Sequence, residues 1–477
     1  MDDRNLTMLM DFYELTMANG YYKLGFQNTK AVFDVFYRTN PDRAGYAVFA
    51  GLEQVVDYIE NMHFTDADIV FLRNKGIFDE GFLEYLRDFK FTGDIDAVPE
   101  GTIVYPNTPL LTVTASLIEA QLVETAILLF VNHESVIATK ANRICRAAKG
   151  ALVMEFGARR AQGADAAEYG TRAAYIGGVH ATATVSADMK FGVPAVGTMA
   201  HSWVQLFPSE YDAFKAYAEL YPDACTLLID TYSVVKSGLP NAIRVAHEVL
   251  APLGKRLKGV RIDSGDIAYL TKYTRRLLDE EGLEDCKIVV SNSIDEYLIL
   301  SLNDQGAKID SYGIGERLIT AKSDPVFGGV YKLVAVEKDG VFEPRIKISE
   351  NVEKIINPGK KTLYRMYNRA GKAIADLLTC EGEKLTSGMA VVDSVKPWKR
   401  IPLVEFTIEL LRVPVFRGGK RVYDLPTLPE IRAYVQKQMK DEIWEEETRF
   451  VNPHVHYLNL SEKLYDMKIK LLTEHGG

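Results

Sequence analysis

Lys258-Gly259-Val260-Arg261-Ile262-Asp263-Ser264-Gly265-Asp266-Ile267 is the stretch on which the fold turns. Gly259 to Ile262 is an apolar run interrupted only by an arginine, too short for a helix and suited to a buried strand. Polar residues come next. Asp266 then stands as a cap before Ile267 to Leu278, where Ile267, Leu270, Leu277 and Leu278 share one helical face. Strand, polar loop and amphipathic helix make one β/α unit. Further apolar runs lie at Leu152 to Met154, Val193 to Val196, Thr226 to Ile229, Ile288 to Val290 and Ile309 to Gly313, with amphipathic helices between the later ones. Such alternation predicts parallel strands, and its simplest closed form is a (β/α) barrel. Only six or seven strands are legible, so the expected fold class is α/β with an irregular barrel.

Outside this core the pattern changes. Leu6 to Tyr22 carries apolar residues at helical spacing, and Phe91 to Ser116 is β-rich, with turns at Pro99-Glu100-Gly101 and Pro106-Asn107. Glu119 to Lys149 reads as one long helix with Gly150 as its stop. After Gly328-Gly329, short β runs punctuated by Lys338-Asp339-Gly340, Pro358-Gly359 and Arg369-Ala370-Gly371 predict antiparallel hairpins. From Leu428 onward the chain reads as helical and charged. The expected division is an α+β domain over 1–138, the barrel over 139–327, and a region over 328–477 that packs with the first domain.

Composition narrows the function classes. The 477 residues are 47% hydrophobic, enough for two or three cores. A net charge of -9, with 25% charged residues of both signs, gives no basic footprint for nucleic acid. No apolar run nears the roughly 18 residues of a membrane span, and Met1-Asp2-Asp3-Arg4 is too polar for a signal peptide. A cytoplasmic protein is the expectation. Cys145, Cys225, Cys286 and Cys380 lie far apart and read as reduced core thiols. His454 and His456 have metal-ligand spacing but no cysteine or acidic company, so they read as structural and no protein-bound metal is expected.

The barrel strands run into chemically capable residues. The first run leads into Glu155-Phe156-Gly157-Ala158-Arg159-Arg160, the second into Gly197-Thr198-Met199-Ala200-His201-Ser202, the third into Asp230-Thr231, and the last into Gly313-Ile314-Gly315. Carboxylates, arginines, a histidine and glycines gather at strand carboxyl ends, where barrel enzymes place their active sites. Arg159, Arg160 and Lys140 could neutralise phosphates, or serve as ordinary ion-pair partners. Gly313 and Gly315, before a helical start, could leave N–H groups free for a phosphate. Asp263 could hold ribose hydroxyls or a Mg²⁺ bridging a diphosphate; Asp266 could too, but its cap role competes.

At these residues the sequence resembles the nicotinate phosphoribosyltransferases over nearly its whole length. The resemblance is carried by Asp11-Phe12-Tyr13-Glu14-Leu15-Thr16-Met17, Thr139-Lys140-Ala141, Glu155-Phe156-Gly157 with Arg159-Arg160, and Gly197-Thr198-Met199-Ala200-His201-Ser202. It continues in Arg261-Ile262-Asp263-Ser264-Gly265-Asp266, Gly313-Ile314-Gly315 and Gly328-Gly329-Val330-Tyr331-Lys332-Leu333. It implies a type II phosphoribosyltransferase-like irregular barrel, an α+β domain built from both chain ends, and a homodimer with shared active sites. Tyr13 of the partner subunit and Phe156 would stack on the pyridine ring, with Arg261 and Thr198 on the nicotinate carboxylate. Lys140, Arg159, Asp263, Gly313, Gly315 and Thr320 would hold 5-phosphoribosyl-1-pyrophosphate, with Mg²⁺. His201 would be phosphorylated by ATP, the co-substrate, which makes His201, Arg261 and Asp263 the expected catalytic set.

Two departures from the family pattern stand out. Glu316 comes after the second glycine where related sequences often carry Thr, and it is expected to point outward. His180 stands where nicotinamide-using relatives are expected to carry an acid, which favours the acid substrate. A nicotinamide enzyme and a non-catalytic nucleotide-binding relative remain as alternatives. Quinolinate enzymes are much shorter, and no strand ends in the lysine a barrel aldolase needs.

Overall fold

A computed structural model describes residues 4–350 and 355–475. The chain divides into two compact units, Met1–Val136 with Val326–Gly477, and Ile137–Pro325.

The first unit is made from both chain ends. The strand Lys30–Phe36 pairs antiparallel with Leu111–Ser116 on one side and Val330–Lys338 on the other. Phe33 and Tyr331 stack across that second pairing at 4.7 Å. The full order is Val341–Pro344, Val330–Lys338, Lys30–Phe36, Leu111–Ser116, Asp94–Ala97, Val413–Arg417, Lys420–Arg421. Asp339 and Gly340 both have positive φ, the backbone that a tight two-residue hairpin turn requires. A second sheet contains the Lys361–Tyr367 and Ala373–Cys380 hairpin. Its neighbour Tyr457–Ser461 runs parallel to Ala373–Cys380, so the tail is not helical throughout.

Two helix bounds differ from the sequence reading. The first helix is Phe12–Lys23, because Leu6 to Met10 is spent in turns. The long helix is interrupted at Val123, giving Leu117–Leu122 and Glu124–Ala147. Ser116 caps the first piece by accepting from the Glu119 amide at 3.3 Å, and Gly150 stands after the second with φ +97°. Leu117–Ala147 is long and apolar enough to cross a membrane by composition, yet 67% of its apolar window is buried, as in a core helix.

His456 is structural in its surroundings. Its ring stacks on Tyr105 at 3.6 Å, with Nδ1 3.0 Å from Glu447 and Nε2 3.5 Å from Asp376, which also pairs with Arg365. All of these groups are buried. Among the described residues no group of three or more His, Cys, Asp or Glu is arranged to hold a metal.

The second unit is a parallel sheet in the order Ala181–Thr182, Leu152–Glu155, Ser311–Ile314, Lys287–Asn292, Gly259–Ile262, Thr226–Leu228. A single parallel bridge from Thr182 to Ala195 adds a seventh position. Val193 to Val196 therefore contributes a bridge where the sequence predicts a strand, because Pro194 has no N–H for a ladder. Ala181–Thr182, too short to show a periodicity, takes its place beside Leu152–Glu155. No ladder is described between Ala195 and Thr226–Leu228. Side chains join these two edges instead: His201 Nδ1 lies 3.1 Å from Thr231 Oγ1.

Candidate active site

The carboxyl ends of the parallel strands, the edge strand Thr226–Leu228 excepted, supply the lining of a pocket of about 340 Å³. Next to the lining residue Phe156, Glu155 is wholly buried at the end of its strand. That carboxylate accepts from the Gly157 amide and from the hydroxyls of Thr182 at 2.8 Å and Thr171 at 3.1 Å. Burial raises its pKa and these hydrogen bonds oppose the rise. The turn after the strand is thereby fixed, and with it the ring of Phe156. Gly313 makes room for that ring: a Cβ there would fall 2.5 Å from Phe156 Cε2. Gly313 thus serves a ring contact inside the strand Ser311–Ile314, while Gly315 stands at the start of the one-turn helix Glu316–Ile319.

Arg261 spans the pocket. Its Nε donates to Ser291 Oγ at 2.8 Å and one terminal nitrogen to Asp263 Oδ1 at 3.1 Å. Its other terminal nitrogen has only 3.5 Å approaches to Thr198 Oγ1 and the Met199 carbonyl, at the outer limit of a hydrogen bond. Two arms are held and one is available beside a hydroxyl, an arrangement suited to a carboxylate. The guanidinium carbon lies 5.9 Å from the centre of the Phe156 ring. A flat anionic aromatic would find a stacking face and a charge-assisted donor together.

Asp263 is ionised in this setting. Burial pushes its carboxyl up, but the Ser291 hydroxyl, the Arg261 guanidinium and His201 outweigh this and hold it below the usual range. Its amide donates to Asp230 Oδ2 at 3.0 Å, and Ser264 Oγ donates to the same oxygen at 2.6 Å. Asp230 Oδ1 is buried without a hydrogen-bond partner among the described residues. His201 Nε2 faces Asp263 at 3.9 Å.

Arg159 and Arg160 are exposed on the turn Ala158–Arg160 and line the pocket without an ion-pair partner among the described residues. Glu316, expected to point outward, also lines the pocket; it pairs with Lys322, and Arg160 and Arg317 act on its carboxylate as well. Lys140 is placed differently from the sequence expectation. It does not line the pocket; its ammonium is buried against Glu296 at 2.9 Å and Ser323 Oγ at 2.7 Å. Thr320 is absent from the lining as well, its hydroxyl donating to the Glu316 carbonyl at 2.8 Å. His180 lies at the amino end of Ala181–Thr182, away from the lining. Ala183 lines the pocket from the other end, so the apolar group facing a ligand there is Ala183. Tyr13 belongs to the other unit, half-exposed on Phe12–Lys23.

Sequence reasoning missed Ser291 and gave no role to Asp230. Ser291-Asn292-Ser293 does come directly after the apolar run Ile288 to Val290, and that polar strand end was the available signal. A larger cavity, about 950 Å³, lies in the other unit. Its buried carboxylate, Glu119, is already taken up by Thr92 and Ser116 at a helix start. The convergent chemistry of the described residues lies at the strand ends.

Three family profiles cover the chain: the nicotinate phosphoribosyltransferase N-terminal domain over residues 8–132, the family itself over 151–367, and its C-terminal domain over 360–468. The chain belongs to the nicotinate phosphoribosyltransferase family. It is 42% identical to a nicotinate phosphoribosyltransferase of Bacillus subtilis, over 99% of this chain and 96% of that protein. A Caenorhabditis elegans protein of the same name is 36% identical, over 96% of this chain and 92% of its own. The crystal structure of human nicotinic acid phosphoribosyltransferase superposes with a TM-score of 0.86 at 31% identity, covering 97% of this chain and 99% of that one. The architecture is thus the type II phosphoribosyltransferase fold.

Proposed function

We propose that this chain transfers the phosphoribosyl group of 5-phosphoribosyl-1-pyrophosphate to the ring nitrogen of nicotinate, releasing pyrophosphate and nicotinate mononucleotide for NAD salvage in the cytoplasm. The observation that carries this reading is the available arm of Arg261 beside Thr198 and Phe156. The nitrogen carries its own lone pair, so no general base is needed. The anomeric carbon gains oxocarbenium character as the diphosphate leaves, and catalysis rests on positioning and charge stabilisation. Phe156 and Arg261 hold the ring, while Arg159 and Arg160 face the phosphates.

Mg²⁺ would be held by Asp263, with Asp230 Oδ1 as a second oxygen donor, and would neutralise charge growing on the leaving diphosphate. The ionised state of Asp263 and the unpartnered Asp230 oxygen fit a hard cation. With no group of three such ligands among the described residues, the ion fits better as one that arrives with the substrate.

ATP coupling through His201 belongs to the same proposal. In the tautomer whose Nδ1 donates to Thr231, Nε2 has a lone pair that can take the γ-phosphoryl group as ADP departs. The charge added beside Asp263 would shift the loops toward a tight-binding state and leave the ribosyl transfer itself to the other residues. A homodimer in which Tyr13 of the partner subunit covers the pyridine ring completes the reading, supported by the exposure of Leu9, Phe12, Tyr13 and Met17. Identifying by mass the product formed from nicotinate, the ribosyl donor, Mg²⁺ and ATP tests the reaction.

A further inference from the structure

The helix Glu124–Ala147 brings two cations, Lys140 and Arg143, to one wholly buried carboxylate, Glu296. Lys140 Nζ lies 2.9 Å from it and Arg143 Nε 3.2 Å. Lys140 reaches further, to Ser323 Oγ at 2.7 Å. Immediately before Glu296, Asp295 caps the helix Glu296–Asp304 by accepting from the Leu298 amide at 2.9 Å, and its carboxylate meets Arg317 at 3.8 Å. Asp295 directly, and Glu296 through Lys140, therefore engage two points, Arg317 and Ser323, on the segment after Gly315.

Position gives this linkage its meaning. The helix start comes after Ser291, Asn292 and Ser293, and the other segment after Gly313 and Gly315; both sets of residues line the pocket. The buried Lys140–Glu296 pair, through its hydrogen bond to Ser323, and the partly exposed Asp295–Arg317 pair join the segments that supply these two pocket walls. A lysine whose task was to meet a phosphate would present its ammonium to the pocket, whereas this one is 3% exposed and its charge is directed to Glu296. Burying an ammonium is costly unless it is paired, and removing one partner leaves the other charge uncompensated.

We propose that Lys140 is a positioning residue: with Glu296 as hub, it fixes the segment after Gly315 through Ser323, and so sets the loop that faces the phosphates of the ribosyl donor. This rests on the phosphoribosyl transfer proposed above. Small displacements of a substrate-facing loop are expensive, about a hundredfold in rate for 1 Å, so a clamp outside the contact shell is expected to register in donor binding.

The test compares Lys140→Met with Ser323→Ala, the second of which leaves the ion pair intact and preserves folding. Both are expected to raise KM for 5-phosphoribosyl-1-pyrophosphate, roughly tenfold for Lys140→Met and less for Ser323→Ala, with KM for nicotinate held within about twofold. The double variant should be no worse than Lys140→Met alone. Backbone amide exchange over residues 315–325, measured without ligand, should accelerate in both. Were Lys140 a direct phosphate contact, Ser323→Ala would leave donor KM unchanged or lower it, and exchange over 315–325 would not move; that result overturns the proposal. Equal losses of kcat and melting temperature with both KM values unmoved would overturn it too, by making the cluster part of the core alone. Exchange needs no turnover, so it decides the clamp even if the wild-type protein makes no nicotinate mononucleotide, a result that would instead remove the reaction.

Discussion

The Phe156 ring occupies the space that a Cβ on Gly313 would fill, with Cε2 2.5 Å from that position. Gly313→Ala should therefore displace the ring, at an overpacking cost of about 1–3 kcal/mol. The expected result is a rise in KM for nicotinate of roughly tenfold with donor KM little changed. Steady-state kinetics with each substrate varied in turn checks it; an unchanged nicotinate KM would remove Phe156 from the pyridine site.

Tyr13 supplies a test of the shared site. Chains carrying Tyr13→Ala and chains carrying Arg261→Ala should each be nearly inactive, and mixing them under conditions of subunit exchange should restore part of the activity. One hybrid site in each mixed dimer is then intact. No recovery where exchange is demonstrated would place Tyr13 in its own chain's pocket or outside the site.

His201→Asn separates transfer from coupling. The variant is expected to retain a basal transfer that ATP does not stimulate, and to lose ATP hydrolysis and acid-labile phosphate on the protein together. Product formation with and without ATP, alongside phosphate release, is the measurement. Hydrolysis still in step with product would show that the coupling lies elsewhere.

The buried His456 cluster predicts an alkaline loss of stability. Burial works to lower the His456 pKa, but Asp376 and Glu447 outweigh it and the value is raised above the ordinary 6.5. The stabilisation is full below 6.5 and lost as pH rises through the raised value. Asp376 adds the opposite limb: burial raises its pKa, but Arg365 and His456 hold it at about 2, so its contribution is lost as pH falls from 3.8 toward 2. Melting of the wild type should decline on the alkaline side, while His456→Gln, destabilised by about 3 kcal/mol because Asp376 and Glu447 lose their shared buried cation, should show a flatter alkaline limb. A parallel decline in both would assign it to other groups.

The barrel was legible because a strand, a polar end and a capped helix each leave a local pattern, as at Gly259 to Leu278. Ala181–Thr182 left none: a two-residue strand has no period, and its place depends on pairing with Leu152–Glu155. Asp263 could be found because it is a carboxylate at the carboxyl end of a barrel strand, whereas Arg261, Thr198 and Phe156 were found through the motifs that carry the family resemblance. Lys140 shows the opposite limit, since its type suggested phosphate while its neighbours Glu296 and Ser323, 156 and 183 positions away, turn it inward. His180 and Ala183 flank that same two-residue strand, and with no period to read, the sequence could not tell that Ala183 is the one reaching the pocket.

Recognition of the nicotinate carboxylate by Arg261 is the central claim. The decisive measurement is the product mass and kcat/KM for nicotinate and nicotinamide side by side, with Mg²⁺, ATP and the ribosyl donor, in the wild type and in Arg261→Ala. Leaving the available arm of Arg261 without a charged acceptor costs on the order of 2–5 kcal/mol, so the wild type should prefer nicotinate by roughly thirtyfold or more, yield nicotinate mononucleotide, and lose that preference in the variant. Equal use of both substrates by the wild type, or a preference for nicotinate that survives removal of the guanidinium, would contradict it.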